Sequence, residues 1–501
     1  MNKNMNRELS SIFVIFGGTG DLTKRKLIPA IFSLMYEEKL PGNFTIISIG
    51  RREKTNEEYR EEMYEAVKQF SRFSLNNKLW YKFSKRIFYK NFDFTSDNEG
   101  YKDLDSFLGT MDKKYSTGGK RLYYLAVAPD FFEGIIRNLK NNGMVNKATG
   151  WQRIMIEKPF GSSLETARIL NNNISNLIPE KDIFRIDHYL GKEMIQNILA
   201  IRFGNSLFEP LWNANYIDNI QITSNELLGV ENRGGYYENT GILKDMLQNH
   251  ILQMLTMIAM EPPVDFKPES IRDEKVKVLR SLRHFIEESA KGNIVRGQYG
   301  AGVVNGTKVV AYREEDKVSK SSKTDTFIAL KTYIDNFRWG GVPIYIRAGK
   351  RMDTKSTEIV IQFKKLAGIN YYKEFDQISH NLLVLKIQPD EGFFFQINGK
   401  KPGSEFKMQK VQLDYCQSCK CLNDSPEAYE RLILEAIRNN SSLFTRWDEL
   451  EYSWEFIESI EKGFENTIPS YPNYSAGTSG PAEAIQLIEK DDRQWWNTAL
   501  D

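Results

Sequence analysis

Apolar and polar positions divide the chain into two parts with different rhythms. Residues 11–16, Ser-Ile-Phe-Val-Ile-Phe, form a short continuous apolar run between a polar leader and a glycine-rich turn. Such a run suits a strand buried on both faces of a parallel sheet. Residues 22–39 then read as a helix and 44–49 as the next β-branched strand. Thr55 and Glu58 have the spacing of a capping box, which predicts a helix over 57–70. Further strands are predicted at 86–92, 122–126 and 153–157, with helices at 131–140 and 164–176. Alternating strands and helices imply βαβ units and a mainly parallel sheet.

The rhythm changes after about Phe203. Residues 217–223 alternate with period two, and helical patterns follow over 242–260 and 268–290. Alternating runs at 326–334, 342–347, 358–364, 381–388 and 392–397 predict a large antiparallel sheet with one helix-covered face. Residues 410–415 are strand-like, 300–306 and 319–323 read as surface loops, and 426–438 and 447–462 as terminal helices. The fold class is thus an α/β N-terminal Rossmann-type domain, 1–190, followed by a larger α+β domain, 191–501, with a mainly antiparallel sheet. No internal repeat is visible.

Composition narrows the function. The chain has 501 residues, 41% of them hydrophobic and 27% charged, with a formal charge of +2. That near-neutral balance argues against nucleic acid as the main partner, because nucleic-acid binding needs a clustered basic face. The apolar run at 12–16 is too short for a signal or a membrane span, so a cytoplasmic protein without membrane attachment is expected. The three cysteines, Cys416, Cys419 and Cys421, are odd in number, which argues against a disulfide framework. Their C-x-x-C-x-C spacing invites zinc, but no fourth Cys or His lies nearby, and no metal is expected.

The glycine-rich turn Gly17-Gly18-Thr19-Gly20-Asp21-Leu22 follows a strand and opens a helix. That is the setting of a dinucleotide phosphate loop, where glycines admit the pyrophosphate and the helix N-terminus supplies partial positive charge. Its G-x-x-G spacing also fits an ordinary glycine-rich βα turn. At the end of the next strand an NAD site would carry an acid; this chain carries Gly50-Arg51-Arg52. Arg51 suits a 2′-phosphate, which favours NADP. Two arginines could equally solvate a strand end. Glu157-Lys158-Pro159-Phe160-Gly161 closes a later strand, where Lys158 could hold an anionic substrate or a cofactor carboxamide, or simply face water.

Only four histidines are present, and two of them, His188 and His250, share their segments with carboxylates. Histidine exchanges protons near neutral pH, and a carboxylate is the usual group that orients it. Taken alone, His188 also fits a half-buried structural histidine. His250 likewise fits the core-facing stripe Leu243, Met246, Leu247, His250, Ile251, Met254. Lys192 and Glu193 could simply begin a helix.

Together these pieces resemble the glucose-6-phosphate dehydrogenase family. The match is carried by 17–26, 157–161, Arg185-Ile186-Asp187-His188-Tyr189-Leu190-Gly191-Lys192-Glu193 and 245–253. Segments 233–237, 342–350 and 480–484 agree, so the resemblance runs the full length. It implies oxidation of glucose 6-phosphate at C1 with hydride transfer to NADP, the first step of the oxidative pentose phosphate pathway. By the family pattern His250 is the base and Asp187 its carboxylate partner. His188, Tyr189 and Lys192 match phosphate-binding positions. Glu226 and Asp245 match carboxylates on the sugar hydroxyls, and Lys158 matches the lysine between substrate and nicotinamide. Lys350 and Lys355 match basic positions beside the sugar. The chain departs from the pattern at Ser356, where some members carry a basic residue, and at Ser479, where an aromatic residue is common nearby. The resemblance also implies a homodimer or homotetramer. A different sugar oxidoreductase, of the glucose-fructose oxidoreductase type, would share the Glu-Lys-Pro motif but lack the cluster from His188 to Lys192. A catalytically silent nucleotide sensor would not need Asp187, His250 and Lys192 together.

Overall fold

The protein is described from a computed structural model covering residues 9–40, 42–96, 98–366, 378–417, 425–465 and 469–496. It divides into two compact units. The first holds the described residues of 1–191, 263–273 and 423–451; the second holds those of 192–262, 274–422 and 452–501.

The first unit is built on a seven-stranded sheet. Its order is Phe444–Thr445, Ile183–Ile186, Gln152–Ile156, Arg121–Leu125, Ser11–Phe16, Phe44–Gly50 and Ile87–Asn91. All neighbours are parallel except the short Phe444–Thr445, which runs antiparallel to Ile183–Ile186. The five strands inside the two edges are buried at every position, as continuous apolar runs require. The capping box at Thr55 and Glu58 is present and opens helix Asn56–Phe70. Strand order reverses between Ser11–Phe16 and Arg121–Leu125, and a crevice at the carboxyl ends of such a switch point is where α/β sheets bind ligands.

The second unit carries an eight-stranded sheet. Its order is Met408–Cys416, Gly392–Lys400, Leu382–Gln388, Ser356–Phe363, Ile217–Asn225, Ile344–Gly349, Phe327–Thr332 and Ile294–Gly297. Every pairing is antiparallel but one, Ile344–Gly349 against Ile217–Asn225.

One expectation is extended and two need correction. First, beyond the expected helix-covered face, the polar positions of the alternating central strands are covered too. The C-terminal stretch covers them: Trp496 donates its backbone N–H to Gln221 Oε1 at 2.9 Å and its indole N–H to Gln362 Oε1 at 2.7 Å. Arg493 pairs with Asp218 at 2.9 Å. Second, the helical pattern over 268–290 splits into Pro268–Arg280 and Glu287–Ala290. Between them Arg283 N–H donates to Tyr333 O and Phe285 N–H to Ser459 Oγ, pairings that outweigh helix propensity. Third, residues 300–306 are not a plain loop. Gly302–Val304 and Thr307–Val309 form a hairpin whose turn, Asn305-Gly306, has positive φ at both residues, as a type I′ turn demands. Residues 319–323 are a loop. Cys416 is disulfide-bonded; an odd count leaves one pairing possible even without a framework. Cys419 and Cys421 lie outside the described residues. Among the described residues no helix is long and apolar enough to cross a membrane.

Candidate active site

In the first unit the glycine turn sits directly at the end of Ser11–Phe16. Gly17 has φ +87°, and a Cβ there would lie 2.1 Å from Ala126 O; one at Gly18 would lie 2.7 Å from Ser48 Cβ. The turn is therefore wedged between the ends of two neighbouring strands, and only glycine fits. The amides of Gly17 and Gly18 both donate to Ile49 O, and that of Gly20 to Gly17 O. These glycines thus act by shape, their amides being bonded within the turn and to the adjacent strand. Beyond Thr19 and Gly20, Asp21 is exposed and lies 3.8 Å from Arg25, and Leu22 leads into the helical segment Thr23–Leu27. Thr23 Oγ1 ties that segment back to Gly17 O at 3.0 Å. Arg51 is exposed just past Phe44–Gly50, and no carboxylate stands at 50–52. A glycine turn opening a helix beside an exposed arginine fits a dinucleotide bearing a 2′-phosphate.

Lys158 is half-buried and follows Gln152–Ile156. The residue before it, Glu157, is held by two hydroxyls: Tyr124 donates to its Oε1 at 2.5 Å and Tyr429 at 3.1 Å. Burial pushes the Glu157 carboxyl above the usual range, and the hydroxyls only partly offset that.

Arg185 lies within the strand Ile183–Ile186, and the turn that follows it runs from Asp187 to Gly191. Arg185 is structural, pairing with Glu180 at 2.6 Å and Asn171 at 2.8 Å. Asp187 is buried, and its Oδ1 accepts the Tyr189 N–H at 3.0 Å. Tyr189 is buried and His188 half-buried, their rings 5.0 Å apart. Arg431 donates to Gly191 O, and a Cβ on Gly191 would come within 2.9 Å of Ala428 O. The helix Ala428–Arg438 thus pins this turn from a distant part of the sequence.

In the second unit Lys192 is the N-cap residue of Glu193–Phe203, so it does begin a helix. Its side chain does more, donating to Gln388 Oε1 at the end of Leu382–Gln388. Gln388 in turn donates to Thr357 Oγ1 at 3.0 Å. Gln388 carried no mark in the sequence; only strand order places it beside Lys192.

One buried charge cluster combines Lys350, Glu226 and Asp245. Register explains its first pair. Gly349 stands opposite Asn225 in the one parallel pairing of this sheet, so the next residues, Lys350 and Glu226, emerge side by side. Lys350 Nζ lies 2.6 Å from Glu226 and 3.1 Å from Asp245. Burial works against its ammonium, yet Asp245 and Glu226 outweigh burial and hold the Lys350 pKa above the ordinary lysine value. Its carbonyl accepts the Tyr474 hydroxyl at 2.8 Å, a buttress the sequence did not reveal.

Asp245 and His250 share the helical segment Leu243–Ile251, which is wound with i→i+5 hydrogen bonds. That winding brings residues five apart close to one face, whereas α-winding would separate them. Both are buried. Lys355 is exposed before Ser356–Phe363 and is not joined to the Lys350 cluster by an ion pair.

A glycine turn opening a helix at the switch point of a parallel sheet, with an exposed arginine past the next strand, fits the class of nicotinamide-dependent dehydrogenases. Comparison with known proteins sharpens this. Residues 14–197 match the family model for the glucose-6-phosphate dehydrogenase NAD binding domain, and 199–496 that for its C-terminal domain. Glucose-6-phosphate 1-dehydrogenase of Bacillus subtilis is 45% identical over 492 residues, covering 98% of this chain and 99% of that protein. The Chlamydia pneumoniae enzyme of the same name is 45% identical, covering 97% and 95%. A solved structure of a glucose-6-phosphate dehydrogenase in complex with its substrate glucose 6-phosphate superposes with a TM-score of 0.89 at 36% identity, covering 97% and 99%. The Mycobacterium avium enzyme superposes at 0.81 with 32% identity, covering 97% and 99%. The chain belongs to the glucose-6-phosphate dehydrogenase family.

Proposed function

We propose that this protein oxidises D-glucose 6-phosphate at C1 to 6-phospho-D-glucono-1,5-lactone, with NADP as hydride acceptor, in the first step of the oxidative pentose phosphate pathway. Family membership over 14–496 carries the reading, and it displaces the glucose-fructose oxidoreductase alternative. Residues 1–190 serve the nucleotide and 191–501 the sugar and self-association.

NADP, when bound, supplies the carbon that accepts the hydride. His250 takes the proton from the C1 hydroxyl, and Asp187 orients its ring and favours the imidazolium. Glu226 and Asp245 accept hydrogen bonds from sugar hydroxyls. Lys350 sits between these carboxylates and holds them in place; Lys355 flanks the sugar. Lys192, His188 and Tyr189 bind the substrate phosphate, a dianion that needs cations and donors. Lys158 stands between sugar and nicotinamide, and Gly17, Gly18, Thr19, Gly20, Asp21, Leu22 and Arg51 bind the cofactor. The enzyme acts as a cytoplasmic homodimer or homotetramer. Incubation with glucose 6-phosphate and NADP tests the reading. NADPH and the phosphogluconolactone, or the acid it hydrolyses to, are the expected products; substrate binding without NADPH formation would contradict it.

A further inference from the structure

Two stacked tyrosines stand behind the cofactor edge of the first unit. Tyr59, on helix Asn56–Phe70, and Tyr89, on strand Ile87–Asn91, are both buried, with ring centroids 4.8 Å apart and planes 26° apart. Each hydroxyl donates to a main-chain carbonyl, and each carbonyl belongs to a different cofactor segment. Tyr59 reaches Gly18 O at 2.8 Å, in the glycine turn. Tyr89 reaches Arg52 O at 2.6 Å, one residue past Arg51.

The surroundings fix these hydroxyls in place. Tyr89 N–H donates to Asn56 Oδ1 at 2.7 Å, which ties its strand to the start of the Tyr59 helix. A Cβ on Gly50 would lie 2.6 Å from the Tyr89 hydroxyl, so glycine at that position leaves room for the hydroxyl to reach Arg52. Arg51 and Arg52 are exposed, on backbone outside helix and strand. An exposed arginine on irregular backbone places its guanidinium only as well as its main chain is held.

We propose that Tyr89 is a positioning residue for NADP selectivity, acting through the Arg51–Arg52 main chain. Tyr59 is its counterpart for the glycine turn, which NADP and NAD share. The inference rests on the NADP reading above. Loss of the Tyr89 hydroxyl releases the segment that meets the 2′-phosphate; loss of the Tyr59 hydroxyl releases the segment that meets the pyrophosphate.

The test compares Tyr89→Phe, Tyr59→Phe and the parent enzyme by direct titration of NADP and of NAD, with kinetics alongside. Tyr89→Phe is expected to weaken NADP about threefold to tenfold, the range one lost hydrogen bond gives, and NAD by less than about twofold on the same scale. KM for glucose 6-phosphate stays unchanged. Tyr59→Phe is expected to weaken both cofactors by a similar factor. Each variant loses one buried hydrogen bond, so general loosening cannot produce the split between cofactors. Equal weakening of NADP and NAD by Tyr89→Phe, or no weakening of either, overturns the assignment. A parent that binds NADP without reducing it in the presence of glucose 6-phosphate would sink the reaction instead; the titration split would still decide the role of the tyrosines.

Discussion

The glycine turn of the first unit and the Lys350 cluster of the second are built in opposite ways. The turn is main chain, shaped by glycines wedged against Ala126 and Ser48 and held by carbonyls. The cluster is side chain: one ammonium between two carboxylates, drawn from a strand end, a second strand end and a helix. Main-chain sites spread their work over many small contacts, so losing one neighbouring side chain removes little of it, although a Cβ at Gly17 or Gly18 would break the shape of the turn. Side-chain sites concentrate that work. Replacing a functional side chain should therefore cost more in the second unit than beside the turn of the first.

The largest effect is expected at His250. His250→Asn should lower kcat about 10²- to 10⁴-fold, the usual worth of a positioned base, and leave KM for glucose 6-phosphate little changed. An unchanged kcat would remove the base assignment. Lys350→Met leaves Glu226 and Asp245 facing each other without their cation. It should cost about 3 kcal/mol, the low end for a buried pair broken on one side, because Glu226 keeps 33% of its side chain exposed. Urea unfolding reads this directly, and a loss under about 1 kcal/mol would mean the cluster carries no more than a surface pair. Lys192→Ala should raise KM for glucose 6-phosphate about tenfold to a hundredfold, the worth of a charged hydrogen bond. An unchanged KM would remove Lys192 from the phosphate site.

Smaller effects are expected in the first unit. Arg51→Ala should raise KM for NADP about tenfold and that for NAD much less; a parallel rise would refute the 2′-phosphate role. The smallest change is expected from Glu157→Gln. Burial raises the Glu157 pKa in the folded state. The unfolded chain then releases this proton first, so the folded protein loses stability as pH climbs from the ordinary carboxylate value through the raised one. The glutamine variant should lose less stability than its parent in thermal unfolding as pH climbs above the ordinary carboxylate value. Parallel pH profiles would show that Glu157 does not contribute.

The same contrast explains what could be read from sequence. The parallel strands announce themselves as continuous apolar runs, and contiguous motifs such as 17–22 and 185–193 display their residue types in order. Phe444–Thr445 joins the first sheet with only two residues, too few to leave a pattern. Alternation in 217–223 and 358–364 predicts one helix-covered face; sequence does not show that the stretch around Trp496 lies over Gln221 and Gln362. The helical period ran through 281–286, where pairing with Tyr333 prevails. At the site, Gln388, Tyr474, Tyr59 and Tyr89 are invisible in the sequence for one reason: each meets its partner only through tertiary packing. The family pattern singled out Lys350, Glu226 and Asp245, but their spacing alone gave no hint of a cluster.

Initial rates with glucose 6-phosphate and with glucose, using NADP and NAD in turn, test the central claim most directly. Rapid NADP reduction that depends on the phosphate of the sugar is predicted. Equal rates with glucose and glucose 6-phosphate would contradict it.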